Sequence, residues 1–224
     1  GQTILELGCG WGSWALWLAQ QYPNARIVGV SNSRSQKAFI DDQARQHGFK
    51  NLEILTCDMN RFDPQRTFDR VISVEMFEHM RNYAELLRRV RSWLKPTGKL
   101  FVHIFCHRTL AYPFATEGDD NWMGRHFFTG GMMPSFDWLT FFPEHLSVER
   151  RWAVRGTHYS QTLEAWLVNL DRQRSDLLEL FPAADAPRSL QRWRMFLMAC
   201  SELFAYAGGD EWFVGHFLLA PTRS

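Results

Sequence analysis

The chain has 224 residues and a mass of 26.3 kDa, with 46% hydrophobic and 22% charged residues and a formal net charge of +1. That length suffices for one sizeable α/β core, and the near-neutral balance gives no electrostatic reason to expect nucleic acid or an anionic membrane surface as partner. No stretch approaches the roughly 18 uninterrupted apolar residues of a membrane span, and no cationic segment leads into an apolar run at the start, so neither stable membrane insertion nor secretion is expected.

Residues 3–7 read as a buried strand, followed by Gly8-Cys9-Gly10-Trp11-Gly12 and a helix-compatible run at 13–21. A second strand is predicted at 26–30 and ends at Ser31-Asn32-Ser33, whose hydroxyls can cap the next helix. That helix runs to about 47 and stops at Gly48. Short strands follow at 52–56 and 70–74, then a helix at 83–94 with Asn82 as cap and Pro96-Thr97-Gly98 as stop, then a fifth strand at 99–105. Alternation of this kind implies right-handed crossovers and a parallel sheet. After His107 the rhythm breaks: residues 108–134, rich in Gly, Pro, Asp, Phe and Met, read as an irregular insertion of the sort that serves as lid or binding loop. A short helix is predicted at 135–145, a strand at 147–154, helices at 161–181 and 190–206 around a break at 182–187, and a last strand at 212–219. The fold class is therefore α/β: a Rossmann-like, mostly parallel seven-stranded sheet with helices on both faces. One domain over 1–224 is expected, with the segment at about 107–146 and the helices at about 158–206 forming a substrate cap.

The four cysteines (Cys9, Cys57, Cys106, Cys200) are widely spaced and lack C-x-x-C pairing, which predicts free thiols in a reducing compartment and a cytoplasmic protein. Aromatic residues make up 15% of the chain, ten of them Trp, and fall largely in its second half. They read either as a large aromatic core or as the wall of a pocket for a flat or cationic organic molecule.

The run Glu6-Leu7-Gly8-Cys9-Gly10-Trp11-Gly12 lies between the first strand and the first helix, where a doubly wound sheet binds its ligand. Glycines there let backbone approach a ligand closely. Dinucleotide sites use similar turns, but a carboxylate just before the turn would repel a pyrophosphate and can pair with the ammonium of a methionine moiety. With Asp58 after the third strand and the Lys95–Lys99 turn before the fifth, the series resembles that of class I S-adenosylmethionine-dependent methyltransferases. The resemblance implies S-adenosyl-L-methionine as cofactor, bound by Glu6, Gly8, Gly10 and Gly12, by Ser31, Asn32 and Gln36 near ribose, and by Asp58, near adenine, with Met59. Most of that class end the second strand with an acid; here neutral hydroxyl and amide groups stand in its place.

This departure is shared with the branch that contains cyclopropane fatty acid synthases and the coclaurine N-methyltransferase group. The chain resembles the latter over nearly its whole length, at Gly10-Trp11-Gly12-Ser13, Asn32-Ser33-Arg34-Ser35-Gln36, Glu75-Met76-Phe77-Glu78-His79-Met80 and Phe105-Cys106-His107. Still more specific are Arg125-His126-Phe127-Phe128-Thr129-Gly130-Gly131-Met132-Met133-Pro134 and Glu211-Trp212-Phe213-Val214-Gly215-His216-Phe217. By this resemblance Glu75, Glu78 and His79 are the catalytic candidates, binding a substrate amine and handling its proton. The chemistry asks for such a group independently. An alkylamine with a pKa near 10.4 is almost wholly protonated at pH 7, and freeing its lone pair costs about 4 to 5 kcal/mol. A carboxylate attracts the cation and a neutral imidazole accepts its proton. The bland alternative is that Glu78 and His79 merely open the next segment and pair with Arg81 or Arg89.

The substrate-binding candidates are His103, Tyr159, Phe128 and Trp122. His103 and Tyr159, with Glu78, match bicarbonate-site positions of the synthases, although the synthase cysteine from an N-terminal segment has no counterpart here; His103 reads equally as a core histidine. His47, His126, His145 and His216 read as local hydrogen-bonding residues, and Glu117-Gly118-Asp119-Asp120 as an acidic loop able to steer a cation or simply to be solvated. Related enzymes carry a helical N-terminal region over the cofactor, so a truncated chain with an exposed cleft is expected. The function implied is methylation of a small, isoquinoline-like amine. No metal is needed, because sulfonium is already a good leaving group. The rival readings are a cyclopropane synthase acting on unsaturated phospholipid acyl chains and a non-catalytic cofactor-binding module.

Overall fold

In the computed structural model, which describes residues 1–118 and 121–222, the first half of the chain alternates strand and helix. Its elements are β1 (Thr3–Leu7), α1 (Ser13–Gln21), β2 (Arg26–Ser31), α2 (Arg34–Gln46), β3 (Leu52–Thr56), β4 (Phe68–Val74), α3 (Tyr83–Trp93) and β5 (Leu94–His107). Every residue of β1 after Thr3 and of β2 after Arg26 is buried, as expected of parallel strands covered on both faces. The helix starts follow the residues that can cap them. Ser33 Oγ accepts the Gln36 N–H at 3.3 Å, and Asn82 Oδ1 accepts the Glu85 N–H at 3.0 Å.

The main sheet has the order β3-β2-β1-β4-β5-β9-β8, where β8 is Leu146–Val154 and β9 is Trp212–Pro221. Parallel pairing joins β3 to β2, β2 to β1, β1 to β4 and β4 to β5. The chain steps outward from β1 in both directions, so the carboxyl ends of β1 and β4 flank a topological switch point. This is the class I methyltransferase fold.

Three stretches depart from the pattern read in the sequence. The predicted helix at 135–145 is only a 3-10 turn, Trp138–Phe141, closed by Phe142 at φ −125, ψ 60. Pro143 follows; it lacks an N–H and pushes its predecessor out of the helical region. Within 108–134 the insertion is not wholly irregular. It contains β6 (Tyr112–Pro113) paired antiparallel with β7 (Met132–Met133), and α4 (Trp122–His126). Of the acidic loop, Asp119 and Asp120 lie outside the described residues. The predicted helix at 161–181 begins earlier and divides at Gln173 into α5 (Gly156–Arg172) and α6 (Arg174–Glu179), ahead of α7 (Ala186–Ala205).

The chain divides into two compact units. The first comprises Gly1–Ile104, Asp137–Trp152 and His216–Ser224, and its core includes Ile4, Ala15, Leu18, Ile27, Ile40 and Ile54. The second comprises Phe105–Phe136 and Ala153–Gly215, packed around Phe105, Met133, Leu163, Leu197, Cys200 and Phe204. Among the described residues no helix is long and apolar enough to cross a membrane.

Candidate active site

The loop after β1 is built on left-handed glycines, with φ of 76 at Gly8, 51 at Gly10 and 82 at Gly12. They serve different ends. A Cβ at Gly8 would meet Met76 Cγ at 2.7 Å and one at Gly12 would meet Ile40 Cγ1 at 2.6 Å, whereas one at Gly10 would meet nothing within 4 Å. Gly8 and Gly12 allow tight packing; Gly10 leaves bare backbone on a cavity of about 500 Å³, within the roughly 300–1,000 Å³ typical of small-molecule sites. A Cβ at Gly10 would therefore take space that a ligand can use, which fits a nucleoside cofactor lying along this loop.

The cavity belongs to the first unit. Gly8, Gly10, Ser31, Asn32, Gln36, Asp58, Met59, Glu75 and His79 line it, together with Val30, Cys57, Asn60, Met76 and Met80. At the end of β2, Ser31 Oγ donates to Gln36 Oε1 at 2.6 Å and accepts the Ser33 N–H at 3.0 Å. Gln36 thus spends its oxygen internally and keeps its amide N–H groups as available donors on the cavity wall. Beyond β3, Asp58 Oδ1 accepts from Asn60 N–H at 2.8 Å and Asn60 Nδ2 at 3.0 Å, which fixes the carboxylate on the cavity wall.

Gly12, Glu6 and Glu78 do not line the cavity. Glu6 is buried in β1, where it accepts the Ala15 backbone N–H in the first turn of α1, and burial pushes its carboxyl up to about 8. Its Oε2 is buried without a hydrogen-bond partner.

Beyond β4 the backbone turns sharply. Glu75 has φ 50, a conformation costing a non-glycine residue roughly 1–3 kcal/mol. Its N–H is held by the His103 carbonyl at 3.0 Å. A 3-10 turn, Phe77–His79, then places Glu78 inside and His79 on the exposed rim. Tyr83 Oη pins this turn by donating to the Phe77 carbonyl at 2.8 Å. Glu78 is 2% exposed, and its carboxyl hydrogen-bonds that of Glu75. Burial, and then the Glu75 charge, raise Glu78 well above the usual carboxylate range. Enclosure lowers the His79 imidazole, partly opposed by Glu75. The turn therefore sets beside Glu75 a carboxyl that favours its protonated form, Glu78, and an imidazole that favours its neutral form, His79. Arg89 does not serve as a partner of Glu78 in this arrangement; its guanidinium donates to the carbonyls of Met59 and Phe62.

His103 lines neither this cavity nor the aromatic one described next. Its Nε2 stands 3.1 Å from Glu75 Oε1, and its Nδ1 stands 2.9 Å from His216 Nε2. Tyr159, Phe128 and Trp122 are brought together in the second unit, where they line a separate cavity of about 410 Å³ with Phe105, Tyr112, Phe114, Trp166, Phe196 and Phe204. Among the described residues that line it, none is charged. His107 is structural: Nδ1 accepts the N–H groups of Thr109 and Leu110, so Nε2–H faces Glu211, 3.0 Å away. Sequence reasoning passed over Asn60, Met76 and Met80 on the first cavity and the His103–His216 contact. Position signals three of these, since Asn60 stands two residues beyond Asp58, and Met76 and Met80 belong to the Glu75–Met80 run. Among the described residues no group of three or more His, Cys, Asp and Glu is arranged to hold a metal ion.

The family profile described as mycolic acid cyclopropane synthetase matches residues 1–210. The (S)-coclaurine N-methyltransferase of Thalictrum flavum subsp. glaucum is 37% identical over 97% of this chain and 63% of its own length. The cyclopropane-fatty-acyl-phospholipid synthase of Escherichia coli (strain K12) is 33% identical over 74% of this chain and 41% of its own length. A crystal structure of coclaurine N-methyltransferase bound to N-methylheliamine and SAH matches with a TM-score of 0.92 at 35% identity, covering 98% of this chain and 67% of that one. The chain thus spans a little under two thirds of the curated N-methyltransferases it matches.

Proposed function

The chain belongs to the mycolic acid cyclopropane synthetase family of S-adenosylmethionine-dependent methyltransferases, and on that premise we propose that it methylates the nitrogen of a small, isoquinoline-like amine. One observation carries this reading: the glycine loop and the proton-handling side chains Glu75 and His79 line the same cavity. When bound there, S-adenosylmethionine supplies a methyl group on a sulfonium centre that is already activated toward a nucleophile. The chain's task is to deliver a nitrogen lone pair. The Glu75 carboxylate draws in the ammonium form, and the neutral His79 imidazole takes its proton. Holding nitrogen and methyl in line supplies most of the remaining acceleration. The aromatic lining of the second unit's cavity is of a kind that suits flat organic rings.

The test is transfer from labelled S-adenosylmethionine to primary, secondary and tertiary amines, tetrahydroisoquinoline among them, alongside vesicles of unsaturated phospholipid. Label in N-methyl products is the expected result. Label confined to lipid acyl chains, with a requirement for bicarbonate, would make the protein a cyclopropane synthase. Cofactor binding without transfer to either class would leave a non-catalytic module.

A further inference from the structure

Neighbouring strands of the first unit carry a row of polar side chains that extends beyond the cavity. Glu75 follows β4, His103 lies on β5 beside Val74, and His216 lies on β9, with β4, β5 and β9 adjacent in the sheet. The two imidazoles are 4.9 Å apart between ring centroids, and His216 also packs on Phe101 at 5.4 Å. Alternation along β5 puts Phe101 and His103 on one face, so one strand supplies His216 with both a packing surface and a hydrogen-bond partner.

Proton bookkeeping gives this row a direction. Glu78 is the buried member of the acid pair, and burial with the neighbouring Glu75 raises its carboxyl, so Glu78 holds a proton beside the Glu75 carboxylate. A carboxylate only accepts, so the His103 nitrogen facing it must carry hydrogen. That nitrogen is Nε2, at 3.1 Å. With His103 a neutral ring, Nδ1 is then an acceptor, and the matching assignment has His216 Nε2–H donate to it across 2.9 Å. Desolvation and the neighbouring His103 lower His216, which keeps it a neutral ring with a single N–H to spend. The opposite tautomers would aim a His103 lone pair at a carboxylate. Glu75 Oε1 is buried and makes no hydrogen bond here although Nε2 stands 3.1 Å away; active-site contacts commonly tighten only when substrate is bound.

We propose that His216 is a positioning residue: by donating Nε2–H to His103 it fixes the His103 tautomer, and His103 then holds the Glu75 carboxylate toward the cavity. The proposal rests on the N-methyltransferase reading above. It extends the site by a layer, and partners of this kind commonly change activity by about 10- to 100-fold when removed, as in the metal sites where they are best measured.

His216→Phe retains the ring and removes the donor, whereas His216→Gln places an amide N–H near the position of Nε2. Nitrogen-15 shifts of the His103 ring, read in the wild type and both variants, should report Nε2–H in the wild type, a tautomer mixture in His216→Phe and recovery in His216→Gln. With labelled S-adenosylmethionine and tetrahydroisoquinoline, kcat should fall about tenfold or more in His216→Phe, the KM for cofactor should stay put, and His216→Gln should recover most of the turnover. An unchanged His103 tautomer in His216→Phe overturns the proposal, even if activity falls, because the loss is then structural. A shifted tautomer with undiminished kcat overturns it too. Failure of the wild type to methylate any amine removes the functional reading instead, and the nitrogen shifts still decide the His216–His103 arrangement.

Discussion

Glu78, 2% exposed, shares a hydrogen bond with Glu75, which reaches the cavity from a left-handed backbone position at φ 50. Two carboxyls this close cannot both ionise. Burial favours the protonated form of the enclosed Glu78.

That preference has a stability signature. Because Glu78 in the fold titrates above its ordinary value of 4.5, the native protein holds a proton that the unfolded chain has already released. Its contribution is complete below pH 4.5 and is lost as pH rises through the folded value. Glu78→Gln should remove that loss, flattening unfolding free energy against pH by up to ~1.4 kcal/mol per pH unit above the lower edge. Glu6→Gln should do the same between 4.5 and about 8. Urea unfolding across pH measures both slopes; a variant matching the wild-type slope would mean that its carboxyl is ionised in the fold.

The glycine loop gives a different signature. At Gly10 a side chain meets no protein atom within 4 Å but enters the cavity from a left-handed backbone. Gly10→Val should fold with a modest loss of about 1–3 kcal/mol from backbone strain, yet bind S-adenosylhomocysteine at least tenfold more weakly. Calorimetry checks this, and unchanged affinity would place the cofactor elsewhere.

The alternation of strand and helix, the capping residues Ser33 and Asn82 and the glycine loop could be read in the sequence because each depends on local spacing. The Glu75–His79 turn was recognisable by residue type alone. The geometry that sets it apart, the positive φ at Glu75 and the hydrogen bond between the Glu75 and Glu78 carboxyls, arises where β4 ends beside β5. The His103–His216 contact joins residues 113 positions apart, beyond any local pattern. The stretch predicted as a helix at 135–145 is a 3-10 turn for a local reason: Pro143 holds Phe142 out of the helical region.

Phe128 tests the role of the aromatic cavity. Its ring lies 5.7 Å from Phe105, 5.0 Å from Phe114 and 5.8 Å from Phe196. If this cavity accepts the body of the substrate, Phe128→Leu should raise the KM for aromatic amines about tenfold, the scale expected of 1–3 kcal/mol of lost apolar contact. The KM for small aliphatic amines and for cofactor should be unaffected, and kcat should change little, since contacts equal in ground and transition states act on binding alone. Equal effects on aromatic and aliphatic amines would show that the cavity does not select the substrate.

His79 provides the most discriminating test of the chemistry. Its imidazole sits on the exposed rim of the cavity, with a pKa held below 6.5 by enclosure despite the pull of Glu75, so at pH 7 it is neutral and able to accept a proton. His79→Ala should cut turnover roughly 100-fold, the usual worth of a positioned base. Cofactor affinity should hardly change, because methyl donation needs no proton acceptor, and an exposed substitution of this kind should move stability by no more than ~0.5 kcal/mol. The pH dependence separates the alternatives. Below the amine pKa of about 10 the substrate arrives protonated and depends on the base. As pH rises toward that value, free amine supplies itself and the deficit should shrink. A structural role for His79 would instead give two parallel profiles, offset equally at every pH, with a lower Tm. Rate against pH for the wild type and His79→Ala, with Tm from the same preparations, distinguishes them, and parallel profiles would remove His79 as the proton acceptor.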